Sequence, residues 1–135
     1  MIVTTFAEAY TSAMPKRDRI HDMEKMIKYR QLVRKILESH TNISASFPRE
    51  GVEEMLVMDD ERGHYMLMQL GWQGHKRVKG MTVHARVKDN KIWIEQDLTE
   101  DGIASELLEA GVPNEDIVLA FHAPDLRQYT EFAAA

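Results

Sequence analysis

The chain has 135 residues, of which 44% are hydrophobic and 29% are charged, so it fits one globular domain and is not a wholly disordered protein. It contains no cysteine, which excludes a disulfide framework and a thiol nucleophile. Its net charge of −5 argues against direct binding to nucleic acid, because such binding depends on Lys and Arg side chains that neutralise phosphates.

Residues 1–22 have no clear hydrophobic period, and we predict that they form a flexible or loosely docked extension. No basic stretch followed by an apolar run marks a signal peptide, and no apolar segment reaches 18 residues. We therefore expect a cytoplasmic protein that does not enter a membrane, with a single domain over residues 23–135.

The first predicted helix covers residues 23–40, where apolar side chains recur at helical spacing. Asp22 is its predicted N-cap, and a loop is predicted over residues 39–51. The polar face of the helix is either a solvated surface or a surface that binds DNA or a partner. Its basic residues are Lys25, Lys28, Arg34 and Lys35.

Four strands are predicted next, over residues 54–58, 64–72, 76–88 and 91–97. The turns between them are too short for crossover helices, so the strands should form an antiparallel meander. Asp89 and Asn90 tolerate the positive φ that a type I′ hairpin requires.

Alternation along the third and fourth strands predicts an aliphatic face under the helices and an open polar face. The predicted core side consists of Met81, Val83, Ala85, Val87, Ile92 and Ile94. The predicted open side consists of Thr82, His84, Arg86, Lys88, Trp93, Glu95 and Asp97. On that side Trp93 either stacks under an Arg side chain or marks a contact surface, because aromatic residues and Arg are enriched at interfaces.

A second helix is predicted near residues 100–110, with Thr99 as N-cap and with Glu100 and Asp101 in its first turn. Gly111 and Pro113 end it, and residues 117–121 read as a short buried strand. The expected fold class is α+β. An antiparallel meander of about four to five strands is packed on one face by the N-terminal helix and the second helix.

No motif for nucleotide binding, metal binding or a serine nucleophile is present, and we expect neither a cofactor nor a metal. Asp97, Glu100 and Asp101 meet at the junction between strand and helix. Clustered carboxylates can act in acid–base chemistry or hold Mg²⁺, but they also favour the start of a helix.

The charge of the C-terminal third remains unexplained by folding. Nine carboxylates and no Lys or Arg lie between Ile92 and Leu126, and such a surface can steer a basic partner. The candidate partner surface consists of His84, Arg86, Trp93, Glu95, Asp97, Glu100, Asp101, Glu106 and Glu109.

Several segments together resemble the XisI proteins, which are called fdxN element excision controlling factors. They are YRQLVRKIL (29–37), GHYMLMQLGWQGHKRV (63–78), KIWIEQD (91–97), TEDGIASELLEAGVPNEDIVLAFHAP (99–124) and RQYTEFA (127–133). The resemblance covers residues 23–135. It implies a small α+β fold, a role in controlling excision of a DNA element, and a nuclease-like partner of the XisH type; it supplies no catalytic residues.

Three hypotheses follow. The first is a non-enzymatic regulator that binds an XisH-like protein through its acidic surface. The second is a DNA-binding accessory factor that uses the basic face of the first helix. The third is an unrecognised enzyme centred on Asp97, Glu100, Asp101 and His122. A homodimer through the polar sheet face is compatible with each of them.

Overall fold

The computed structural model describes residues 16–135, with side chains from Arg19 onward. Helix α1 is Lys16–Ser46, and four strands follow it: β1 is Val52–Asp59, β2 is His64–Gln73, β3 is Lys76–Lys88 and β4 is Lys91–Asp97. Helix α2 is Ile103–Glu109 and strand β5 is Ile117–Leu119. Two short 3₁₀ segments, Asn114–Asp116 and Pro124–Tyr129, flank β5.

Helix α1 has 31 residues and extends beyond the predicted boundaries at both ends. Asp22 lies inside it, so its predicted N-cap role is wrong, and the predicted loop after residue 39 begins only at Phe47. No Gly or Pro interrupts residues 16–46, and the Thr41 hydroxyl donates to the carbonyl of Leu37 inside the helix. The part of the predicted extension before Lys16 lies outside the described residues.

The strands form one five-stranded sheet in the order β1-β2-β3-β4-β5. The antiparallel meander of the first four strands is confirmed, and Asp89 and Asn90 have φ values of 53° and 62° at the predicted tight hairpin. Strand β5 pairs in parallel with β4, since α2 provides the crossover between them.

The hydrophobic core lies between one face of the sheet and the two helices, as predicted. Tyr29, Val33 and Leu37 of α1 and Ile103 and Leu107 of α2 are buried against the sheet. The strands contribute Tyr65, Leu67, Val83, Ala85, Val87, Ile92, Ile94 and Ile117. The fold class is therefore α+β, with a mostly antiparallel open sheet.

Two β-bulges change which residues share a face. Met68 pairs with Met81 and Leu67 with Val83, so Thr82 is an extra residue in β3. Glu95 is likewise extra in β4, and Asp97 pairs with Val83. Because each bulge reverses the alternation beyond it, the predicted core position of Met81 and the predicted open-face position of Asp97 are both wrong.

Candidate functional site

The open face of the sheet carries a polar cluster at one end. His64 and His84 pair with Arg86 and Gln96 on the neighbouring strands, and the two imidazole rings stack with centroids 5.3 Å apart. Nδ1 of His64 lies 3.1 Å from Nε2 of His84. Burial, followed by the field of His64, lowers the pKa of His84 from its usual value.

Arg86 and Glu95 complete this cluster. A guanidinium nitrogen of Arg86 lies 3.6 Å from Oε1 of Glu95, and both side chains are about one third exposed or less. Nε of Arg86 is buried and donates no hydrogen bond to any described residue. The ion pair is long, so it leaves part of the Arg86 donor capacity unused.

Trp93 lies beside the cluster, under two cationic side chains. The Lys88 ammonium is 4.2 Å from the centroid of an indole ring, and the Arg127 guanidinium is 5.9 Å from it. The indole N–H donates to the carbonyl of Lys88 at 3.2 Å. Arg127 also donates to the carbonyls of Ala120 and His122, so one side chain both covers Trp93 and fixes the C-terminal segment.

The centre of the open face is apolar, which the simple alternation did not predict. Strand register places six apolar side chains there: Met55, Val57, Met66, Met68, Leu70 and Met81. Met81 joins this group only because of the bulge at Thr82. The alternation of β1 and β2 is visible in the sequence, but the position of the bulge is not.

Both carboxylate oxygens of Asp97 accept hydrogen bonds from nearby residues. Its Oδ1 accepts hydrogen bonds from the Thr99 backbone N–H at 3.0 Å and from the Thr99 hydroxyl at 2.5 Å. Its Oδ2 accepts from the Ile103 backbone N–H at 2.6 Å. These bonds leave Asp97 poorly placed to act as a general base or a metal ligand.

The predicted start of α2 is wrong. The helix begins at Ile103, and the residue at its N-cap position is Gly102, with φ of 78°. Thr99 is therefore not the N-cap, and Glu100 and Asp101 are exposed residues ahead of the first helical turn. Asp97 supplies the capping oxygen from six residues upstream.

The nine carboxylates of the C-terminal third fall into two groups. Four have side-chain or backbone partners: Glu95 with Arg86, Asp97 with Thr99 and Ile103, Glu106 with His40 at 2.7 Å, and Asp116 with Lys25 and Tyr29. Five are exposed and make no ion pair with a described residue: Glu100, Asp101, Glu109, Glu115 and Asp125.

The nine-residue candidate surface is thus divided between two faces of the sheet. His84, Arg86, Trp93 and Glu95 lie together on the open face. Asp97 points to the helical side, and Glu106 contacts His40 of helix α1. Glu100, Asp101 and Glu109 are exposed around α2.

The basic face of α1 is partly neutralised. Lys25 forms an ion pair with Asp116 at 2.7 Å, and Arg34 forms one with Asp60 at 2.9 Å. Lys28 and Lys35 are exposed and form no ion pair with a described residue. Two cations form a small electrostatic footprint for DNA, so the structure does not favour the DNA-binding hypothesis.

Among the side chains described from Arg19 onward, no three acidic or His residues converge as a metal site would require. No helix in the same part of the chain is long and apolar enough to cross a membrane. His122 is exposed, and its ring lies beside that of Phe121 with centroids 4.7 Å apart. It makes no hydrogen bond to Asp97, whose carboxylate is bound by Thr99 and Ile103.

Comparison with known proteins identifies the family. The model of the XisI protein family matches residues 23–134, whereas none of the curated proteins matches the chain. The crystal structure of an XisI-like protein from Anabaena variabilis is similar, with 44% identity and a TM-score of 0.76. The match covers 82% of this chain and 99% of that one.

A second crystal structure, of the fdxN element excision controlling factor XisI from Anabaena variabilis, has 39% identity and a TM-score of 0.74, with the same coverage of 82% and 99%. A family match over most of the chain and two solved relatives of the same fold agree. The chain belongs to the XisI family.

Proposed function

We propose that this protein is a non-enzymatic regulator of the excision of a DNA element, and that it acts by binding a nuclease-type partner of the XisH class. The observation that carries the proposal is the 39% identity, over nearly the whole length of the relative, to a protein described as an excision controlling factor. A controlling factor acts on other proteins or on DNA and needs no active site of its own.

The exposed carboxylates around α2 supply the contact surface. Ser105 and Glu109 lie four residues apart on the side of α2 opposite buried Ile103 and Leu107. Exposed Glu100 and Asp101 precede the helix, and no cation of the described chain neutralises these carboxylates. A surface of one sign attracts a partner of the opposite sign and sets the orientation in which the partner docks.

The partner's chemistry follows from its task. A nuclease must carry Lys and Arg side chains where it holds DNA phosphates. An acidic surface that occupies those cations would compete with DNA, and its release would allow cleavage. Control of excision then depends on how tightly the two proteins bind.

The carboxylates that already have hydrogen-bond or ion-pair partners within the fold favour a regulatory role over a catalytic one. Asp97 has both oxygens occupied by hydrogen bonds, and Asp116 is 7% exposed and bound by Lys25 and Tyr29. Neither group is placed to exchange a proton with a substrate.

The test is co-purification of this chain with the XisH-like protein, followed by a titration at several salt concentrations. The double variant Glu100→Lys/Asp101→Lys should weaken the complex by about tenfold or more, since each reversal replaces attraction by repulsion. Higher salt should weaken the complex of the unaltered protein as well.

The matched control is Glu50→Lys/Glu61→Lys, which makes the same charge change at two exposed positions away from α2. It should change affinity by less than about threefold. Equal weakening by both variants, or no detectable complex, would contradict the proposed surface. A gel shift of DNA by this chain alone at physiological salt would instead support the DNA-binding hypothesis.

A further inference from the structure

A pocket of about 230 Å³ opens between the C-terminal end of α1, the loop that follows it and the first residues of β1. Its walls include Thr41 and Ser44 of the helix, Phe47 and Arg49 of the loop, and Glu54 and Gln69 of the paired strands. This pocket lies at the opposite edge of the sheet from β5 and shares no residue with the carboxylates around α2.

Glu54 is the acidic residue of the pocket wall. It alternates with Glu53 along β1 and projects to the helical side, as do Leu56 and Met58, which pack against the core. Its Oε1 is closed to solvent, yet it accepts no hydrogen bond from any described residue. A shielded carboxylate oxygen without a donor is unfavourable, so an external donor would gain binding free energy here.

Two further features make the same pocket favourable for a positive charge. The C-terminal end of the 31-residue helix α1 carries the negative end of the helix dipole, and its last turn contains no basic residue. Phe47, which is 79% exposed, lines the pocket, and an aromatic ring attracts a cation to its face.

Arg49 is the competing positive group on the pocket wall. It is exposed and forms no ion pair with Glu54. Its guanidinium therefore leaves the carboxylate available, but its charge opposes a cationic ligand.

We propose that this pocket binds a single alkylguanidinium or alkylammonium group. Its volume of about 230 Å³ is below the range of pockets for drug-sized molecules, but it suits one basic side chain or a small free amine. Glu54 would accept the hydrogen bonds, after a small rotation about its soft terminal torsion, and Phe47 would cover the cation.

The test uses isotopically labelled full-length protein, titrated by NMR with methylguanidinium and with a blocked pentapeptide that has a central arginine between alanines. Both probes should shift the side-chain amide of Gln69 and the backbone amides of Thr41 and Phe47. The same pentapeptide with citrulline in place of arginine keeps the shape but loses the charge, and it should bind at least about tenfold more weakly.

Three variants make the proposal falsifiable. Glu54→Gln is isosteric and should weaken binding of the arginine peptide by about tenfold or more, whereas Glu53→Gln, on the opposite face of β1, should leave it unchanged. Arg49→Gln should strengthen binding by a few-fold, because it removes a like charge.

The two probes distinguish the sources of the ligand. Tighter binding of the peptide than of methylguanidinium would identify a side chain of a partner protein, and equal binding would identify a free small molecule. Absence of shifts with either probe, equal binding of the citrulline peptide, or an unchanged affinity in Glu54→Gln would overturn the proposal. A negative result at this pocket would not contradict the proposed acidic surface around α2, since the two sites share no residue.

Discussion

The carboxylate of Asp97 caps helix α2 from a distance of six residues along the chain, because its Oδ2 accepts a hydrogen bond from the Ile103 N–H at 2.6 Å. The bulge at Glu95 makes this bond achievable, since it turns Asp97 towards the helical side of the sheet. One extra residue in a strand therefore determines how the next helix begins.

This relationship predicts that Asp97→Ala lowers the free energy of unfolding by about 1–2 kcal/mol, which is the usual effect of removing an N-terminal cap. Thr99→Ala should lower it by less than half as much, because the Ile103 N–H keeps its acceptor in that variant. Urea denaturation monitored by circular dichroism gives both values. A larger effect of Thr99→Ala would restore Thr99 as the cap and contradict the structure.

Two buried tyrosines predict a loss of stability at alkaline pH. Burial, together with hydrogen bonds to Asp116 and Asp60 respectively, raises the pKa of Tyr29 and of Tyr65 above the ordinary value. Because the pKa is raised in the folded state, both tyrosines contribute their full stabilisation to the folded protein below about pH 10. This stabilisation is lost as the pH rises towards the folded-state pKa.

Tyr29→Phe should therefore reduce the fall in stability above about pH 10. At neutral pH it should lower the free energy of unfolding by about 1.5–3 kcal/mol, since it removes a buried hydrogen bond to a carboxylate. Tyr129→Phe is the control, because that side chain is 80% exposed. Thermal unfolding from pH 7 to pH 11 checks both expectations; identical pH profiles for Tyr29→Phe and the unaltered protein would refute the assignment.

The stacked pair of His64 and His84 predicts sensitivity to acid. Burial and the neighbouring His64 lower the pKa of His84, with a further contribution from Arg86 that Glu95 opposes. Because the pKa of His84 is lowered in the folded state, its contribution to the stability of the folded protein is present above the unfolded-state pKa of about 6.5. This contribution is lost as the pH falls through the folded-state pKa.

His84→Gln should therefore show a smaller decrease in melting temperature between pH 7 and pH 5 than the unaltered protein. His75→Gln, at an exposed hairpin turn, should keep the original pH profile. The site-specific titration of both imidazoles by NMR gives an independent measurement. A His84 that titrates above the model-compound value would contradict the packing of this pair.

We expect that alanine is not tolerated at position 63. Gly63 is buried with φ of 71°, and an added Cβ would lie 2.4 Å from the carbonyl oxygen of Val87. Gly63→Ala should lower the free energy of unfolding by about 1–3 kcal/mol or more. Gly80→Ala is the matched control: nothing lies within 4 Å of its added Cβ, and the expected change is within about 1 kcal/mol. Equal effects of the two substitutions would show that Gly63 tolerates a side chain.

The strands and hairpins were predictable because their signals are local. Asp89 and Asn90 marked a tight turn, and both have the expected positive φ. Helix α1 was predicted too short, since its polar end from Ser39 to Ser46 has no strong period and is held by side-chain bonds such as that of Thr41 to Leu37.

For the candidate surface, the sequence predicted the negative charge but not the arrangement of the side chains. The sequence shows that the carboxylates outnumber nearby cations, but it does not show which of them fold onto distant partners. His40 reaches Glu106, and Lys25 and Tyr29 reach Asp116, across 66 to 91 positions of the chain. The pocket around Glu54 was missed for the same reason, because its walls come from a helix, a loop and two strands.

The sequence by itself determined the order of the elements, the antiparallel meander, the buried helical stripe and the family. Those features depend on periodicity, turn residues and spacing within short windows. Only the tertiary structure decided the faces of Met81 and Asp97, the partners of the carboxylates and the unbonded oxygen of Glu54. A bulge of one residue reverses a whole strand face, and long-range contacts decide which charges remain exposed.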